Sequence, residues 1–273
     1  AVNRLMAFLR LQSVSTDPAY NAEVDKAADW LVADLETLGV TVTKHKTPGH
    51  PMVVGHLDGD GPHLLFYGHY DVQPVDPLNL WNTPPFEPSI ADTPNGKVIR
   101  GRGASDDKGQ LMTFVEACRA WKAVHGTLPC KLTFLFEGEE ESGSPSLVPF
   151  MEAHKDELTC DLALICDTSM VAAGVPSIAS QLRGMLKDEF TLHGPAIDLH
   201  SGHYGGPAVN PLREICRIIA SFHDDTGRVT VNGFYDGVIE IGDNLRAQWD
   251  TCGFDGADYL DNAGLTQASG EQG

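Results

Sequence analysis

Two short runs, KLTFLFEG at 131–138 and LALICD at 162–167, are apolar at nearly every position, and this restricts what the chain can become. A half-covered strand alternates apolar and polar residues, so a strand apolar on both sides must be covered on both faces of its sheet. The covers are legible too. Residues 23–38, EVDKAADWLVADLETL, put Val24, Ala27, Ala28, Leu31, Leu35 and Leu38 on one helical face, with Gly39 as the stop. GQLMTFVEACRAWKAVHG, 109–126, does the same with Leu111, Phe114, Val115, Cys118 and Trp121. VTVTKHK, MVVGHL and PHLLFYG read as further strands, the last two joined by DGDG as a hairpin turn. Strands alternating with helices predict an α/β fold: a mixed, largely parallel sheet flanked by helices.

The texture changes near residue 180. GMLKDEFTLHGP, 184–195, reads as a strand opening a new unit, and NPLREICRIIASFHDD as an amphipathic helix capped by Asn210, with Pro211 in its first turn. The boundary is expected at 178–182, giving a domain over 1–180 and a smaller α+β unit over 181–273. The last twenty residues show no recognisable element. The first residues carry Arg4 and Arg10 in an amphipathic pattern, not the continuous apolar centre of a signal peptide, and a chain that starts without Met is expected to be trimmed.

Charge narrows the partners. With 38 acidic against 19 basic residues the net charge is −19, which repels nucleic acid and anionic membrane surfaces. Neither is expected as a partner, and no apolar run approaches the ~20 residues of a membrane helix. The six cysteines form no C-x-x-C pair, and Cys118, Cys160 and Cys166 lie in apolar segments. Buried thiols in a reducing, cytoplasmic setting are expected.

Chemistry enters where the strands end. In α/β sheets functional groups gather beyond the carboxyl ends of strands. HLLFYG runs into His69-Tyr70-Asp71, KLTFLFEG into Glu139-Glu140-Glu141, and LALIC into Asp167; Asp106-Asp107 sit in the Gly-rich turn GRGASDDKG before a helix. Alone, each has a plain structural explanation: surface decoration for H-x-D, a solvated face for EEE, a dipole-favoured helix start for SDDKG. Together they aim imidazole and carboxylates at one sheet edge. That is the donor set of a hydrolytic metal site, in which a free carboxylate moves the proton and an Asp two residues past a His fixes its tautomer.

The strings GHYDVQP, GRGASDDKGQ, EGEEESGS, the strand ending in Asp167, and DLHSGHYGG resemble the carnosinase-like dipeptidases. These are metallopeptidases whose wider family includes aminoacylases, succinyl-diaminopimelate desuccinylase and glutamate carboxypeptidases. The resemblance implies two-metal hydrolysis of dipeptides or short peptides by a hydroxide shared between the ions. Zn2+ is expected, with Mn2+ or Co2+ as alternatives. By the same resemblance His69 and Asp167 bind one metal, Glu141 binds the other and Asp106 bridges them. Asp71 orients His69, Glu140 is the general acid/base, and the Asp106–Asp107 bond is cis. His200, on a lid and dimerisation domain, reaches the partner subunit's site in a homodimer and steadies the substrate oxyanion. The second metal's last ligand in the family is a histidine beyond the lid, whereas residues 224–273 hold none. The chain is therefore expected to be a C-terminally shortened piece with an incomplete lid, poorly stable and weakly active or silent. N-acyl amino acid deacylase or carboxypeptidase activity is the alternative within the family.

Overall fold

A computed structural model of the chain describes residues 1–94, 96–171 and 174–271. Its contacts divide into two units, Ala1–Thr168 and Ser169–Gly273, so the boundary expected at 178–182 falls inside the second unit.

The first unit carries strands β1 (Thr41–His45), β2 (Met52–Leu57), β3 (His63–His69), β4 (Ser89–Thr93), β5 (Gly96–Arg100), β6 (Lys131–Glu137) and β7 (Leu162–Ile165). Its helices are α1 (Val2–Leu9), α2 (Asn21–Leu38), α3 (Lys108–His125) and α4 (Leu147–Ala153). Five strands form a mixed sheet in the order β1-β2-β6-β3-β7, and β4-β5 is a separate ribbon. β1, β2 and β6 pair antiparallel in sequence, while β6, β3 and β7 run parallel.

The apolar runs sort by parity, as strand geometry requires. Val53, Phe66, Phe134 and Phe136 face α2 and α3 in one core; Val54, Leu65, Leu135 and Met52 face Phe150 and Leu158 in the other. β6 is thus central and covered on both faces, whereas β7, expected to be covered likewise, is an edge strand with Leu162 and Ile165 63% and 55% exposed, because only β3 flanks it among the described residues. Phe114 of α3 stacks on Phe66 at 4.0 Å between ring centroids. Trp121, one turn past the last buried position of α3, is 46% exposed and lies against His125 instead of joining the core. Arg4 grips Glu116 through two nitrogens (2.6 and 2.7 Å), and Arg119 reaches buried Asp34 at 2.7 Å, tying α1, α2 and α3 together.

The DGDG hairpin is not formed. β6 lies between β2 and β3, and the turn pairs with the chain entering β6: Asp60 N–H donates to Leu128 O (3.3 Å) and Lys131 N–H to Pro62 O (3.0 Å). A Cβ on Gly59 would stand 2.1 Å from Cys130 O, so the glycine serves this close approach. A turn signal reverses the chain without saying which strands will pair.

The second unit has α5 (Ser201–Tyr204), α6 (Pro211–Ala220), α7 (Asp243–Thr251) and α8 (Gly256–Asn262). α6 starts as read, Asn210 Oδ1 accepting from Leu212 and Arg213 N–H with Pro211 next. The strand expected at 184–195 is absent: no described segment pairs with it, and Met185 and Leu186 are 84% and 78% exposed. A strand exists only through ladder bonds to a neighbour, so its propensity alone leaves it extended and unpaired. Within the last twenty residues α8 does form, started by Asp255, whose Oδ1 accepts from Ala257 and Asp258 N–H. That Asx cap was a missed helix-start signal.

Candidate metal centre

Register brings the site together. In the parallel half, His69 pairs with Glu137 and Tyr67 with Ile165, so Asp167, two residues past Ile165, ends level with His69. β6 leads into a 3-10 turn, Glu140–Ser142, at the same edge, and the turn before α3 supplies Asp106. The Asp106–Asp107 peptide is cis, as is Asp76–Pro77.

His69 is fully buried and stands at the centre. Its Nε2 lies 3.0 Å from Asp106 Oδ1, 3.6 Å from Asp167 Oδ2 and 4.0 Å from Glu140 Oε2. Its Nδ1 faces Asp71, 3.3 Å from Oδ1 and 3.2 Å from the backbone oxygen. Asp71, also fully buried, accepts from Glu140 N–H (3.2 Å), Glu141 N–H (3.1 Å) and Ser15 Oγ (2.6 Å). One carboxylate therefore fixes both the imidazole and the turn that carries the glutamates. With Nδ1 turned to Asp71, Nε2 is the nitrogen directed at Asp106 and Asp167, the one a metal would take in place of its proton.

Donor atoms of His69, Asp106 and Asp167 all lie within 4.8 Å of one another. Glu141 is not in that group; its Oε2 accepts from Gln73 Nε2 at 2.6 Å. The three glutamates diverge: Glu139 is buried, accepting from His50 N–H (2.9 Å) and Ser146 N–H (3.1 Å), while Glu140 faces His69. His200 belongs to the second unit. It precedes α5, and its Nδ1 accepts from Gly202 N–H at 3.0 Å.

Charge balance calls for a cation. Burial opposes a proton on His69, yet the hydrogen bond and charge of Asp71, with Asp107 and Glu140, raise its pKa to about 10. Burial lifts Glu140, Glu141 and Asp167 above the usual carboxylate range, neighbouring carboxylates adding to the lift while His69 and, at Glu141, Gln73 pull the other way. Burial likewise pushes Asp107 up to about 7; its Oδ2 accepts from His69 N–H (3.0 Å), while its Oδ1 is buried without a partner. One imidazole and this many crowded carboxylates fit a divalent ion of the Zn2+ or Mn2+ class.

The sequence reading passed over Lys108, next in the SDDKG turn. It is fully buried, its Nζ donating to Leu11 O (2.7 Å) and Phe8 O (3.3 Å) at the end of α1, and burial draws its pKa down to about 7. Lys108→Met strands both carbonyls and is expected to cost about 2 kcal/mol in chemical denaturation. An unchanged midpoint would show that the bonds are replaceable. Its only sequence signal was position: a lysine placed between the metal-side aspartates and the first turn of a helix.

Comparison with known proteins places these residues in context. Residues 65–246 match the family model described as Peptidase family M20/M25/M40. A Cys-Gly metallodipeptidase of Candida albicans is 30% identical over 270 residues, covering 93% of this chain and 55% of the relative. A cysteinylglycine-S-conjugate dipeptidase of Corynebacterium striatum is 37% identical over 216 residues, covering 77% and 46%. Among solved structures, an M20 family metallo-carboxypeptidase of Sulfolobus solfataricus superposes with a TM-score of 0.79 at 29% identity, covering 99% of this chain and 60% of that one. The chain spans about half the length of the curated relatives it matches.

Proposed function

Since the chain belongs to peptidase family M20/M25/M40, we propose that this protein is a metal-dependent dipeptidase and that the cluster around His69 is its hydrolytic centre. One observation carries the reading. His69 Nε2 meets Asp106 and Asp167 while Nδ1 is fixed by Asp71, with Glu140 standing 4.0 Å away and free of a hydrogen-bonding partner among the described residues.

In this reading His69 and Asp167 would hold one ion and Glu141, now bonded to Gln73, the other, with Asp106 serving both. When bound, such ions acidify water and polarise a carbonyl. The chain's own residues do the rest. Glu140 takes a proton from the attacking water and delivers it to the departing amine, a task suited to a carboxyl already lifted above its usual range. Asp71 keeps the imidazole and the Glu140–Glu141 turn in register. His200 accepts at Nδ1 and so presents Nε2–H, a donor suited to the oxygen that gains charge in the transition state. We assign it that role across a homodimer. Zn2+ is the ion we favour, in a reducing, cytoplasmic setting. No helix of the described residues is long and apolar enough to cross a membrane.

The names of the matched relatives favour dipeptides, Cys-Gly among them; the likeness to a metallo-carboxypeptidase favours a second reading, release of C-terminal residues from longer or N-acylated substrates. A substrate panel separates them. Xaa-Gly dipeptides with a free amino group are expected to be cleaved at least tenfold faster than their N-acyl counterparts at equal metal loading. Faster cleavage of the N-acyl series would establish the second reading.

A further inference from the structure

Away from the His69 centre, on the face of the sheet covered by α4, a second group of metal-type donors lies together. His45 ends β1, His154 follows the last turn of α4, and Glu157 sits in the turn beyond it. One ring nitrogen of each histidine and one oxygen of Glu157 lie within 4.8 Å of one another; the two histidines are half-buried and the Glu157 side chain is 34% exposed. Phe150 sets the two rings, meeting His45 edge-on at 5.2 Å and stacking on His154 at 4.2 Å; the histidine rings themselves stand 4.8 Å apart. The group is also oriented from outside. His56 of β2 holds Glu157 Oε1 at 3.1 Å, while His154 Nδ1 meets Oε2 at 2.7 Å.

Ordinary packing leaves this cluster unfinished. Nε2 of His45 is buried and has no hydrogen-bond partner, a state that costs free energy unless something else fills it. Burial also holds the His45 ring below its usual pKa, with His154 adding to the effect, a shift toward the neutral imidazole that a metal ion binds. We propose that His45, His154 and Glu157 form a second metal site, separate from the hydrolytic centre, which takes a zinc-class divalent ion and clips the edge strand β1 to the end of α4. Two imidazoles and one carboxylate select a borderline ion of the Zn2+, Ni2+ or Cu2+ type over Mg2+ or Ca2+, which take all-oxygen shells. Donors on one Zn2+ lie about 3.3 Å apart, so closure takes side-chain movements of roughly an ångström. The fourth position is left for water. Because the clip joins residues far apart in sequence, it stabilises the first unit and takes no part in hydrolysis.

The test is a double dissociation read by metal content. The unsubstituted chain, His154→Gln and His69→Ala are dialysed against excess Zn2+, then buffer, and analysed for bound zinc, with circular dichroism to show folding. His154→Gln is expected to lose one equivalent and the zinc-dependent rise in Tm, roughly 5 °C, while keeping the zinc of the hydrolytic centre. His69→Ala is expected to do the reverse. In the unsubstituted chain Zn2+ is expected to protect His45 and His154 from acylation by diethyl pyrocarbonate, a readout that needs no variant. Equal zinc in His154→Gln and the unsubstituted chain, or His45 and His154 equally reactive with and without Zn2+, would overturn the proposal.

Discussion

Glu140→Gln is expected to lower kcat about a thousandfold relative to the unsubstituted protein at the same metal loading, with KM and bound metal within about twofold. The amide matches the carboxylate in shape but has no basic oxygen, so it removes proton transfer and leaves the turn in place. The geometry makes this separation possible: the Glu140–Glu141 turn is held through backbone N–H groups by Asp71, not by the Glu140 side chain. A drop in metal content that parallels the loss of rate would make Glu140 a ligand instead of a proton carrier. Normal turnover would remove it from the mechanism.

The second large effect is expected at Asp71. Asp71→Asn should weaken metal binding by about 10- to 100-fold, although Asp71 itself holds no metal in this account. The aspartate accepts from Ser15 and from two backbone N–H groups and faces His69 Nδ1, so every oxygen lone pair is in use. An amide turns two of those acceptors into donors and frees the imidazole to adopt the other tautomer. Competition with a chromophoric chelator measures the shift. Affinity unchanged from the unsubstituted protein, in a folded variant, would reduce Asp71 to a packing role.

Much of this was legible in advance because the sheet is built from local rules. Of the two strands read as apolar on both sides only β6 is central, while β7 lies at the sheet edge; residues just past the ends of parallel strands had to share one edge, and His69, Glu140 and Asp167 follow from that. Pairing was less legible. DGDG looks like a hairpin from either side, and only the arrival of β6, some seventy residues later, decides that β2 and β3 do not touch. The extended run at 184–195 shows the same gap from the other direction, since a strand-like pattern needs a partner that sequence periodicity does not name. Lys108 was missed for a different reason. A buried lysine looks like any surface lysine in sequence, and only the carbonyls of Phe8 and Leu11, a hundred residues away, explain its place. His45 and His154 likewise belong to no motif and meet only through the fold.

If His69 organises a metal centre, removing its imidazole removes metal. Metal per chain in the unsubstituted protein and in His69→Ala, measured by elemental analysis after exhaustive dialysis, tests it most directly. Bound metal is expected in the first and a loss of at least one equivalent in the second, with folding retained. Equal metal in both, or none in either after loading with Zn2+ and with Mn2+, would contradict it.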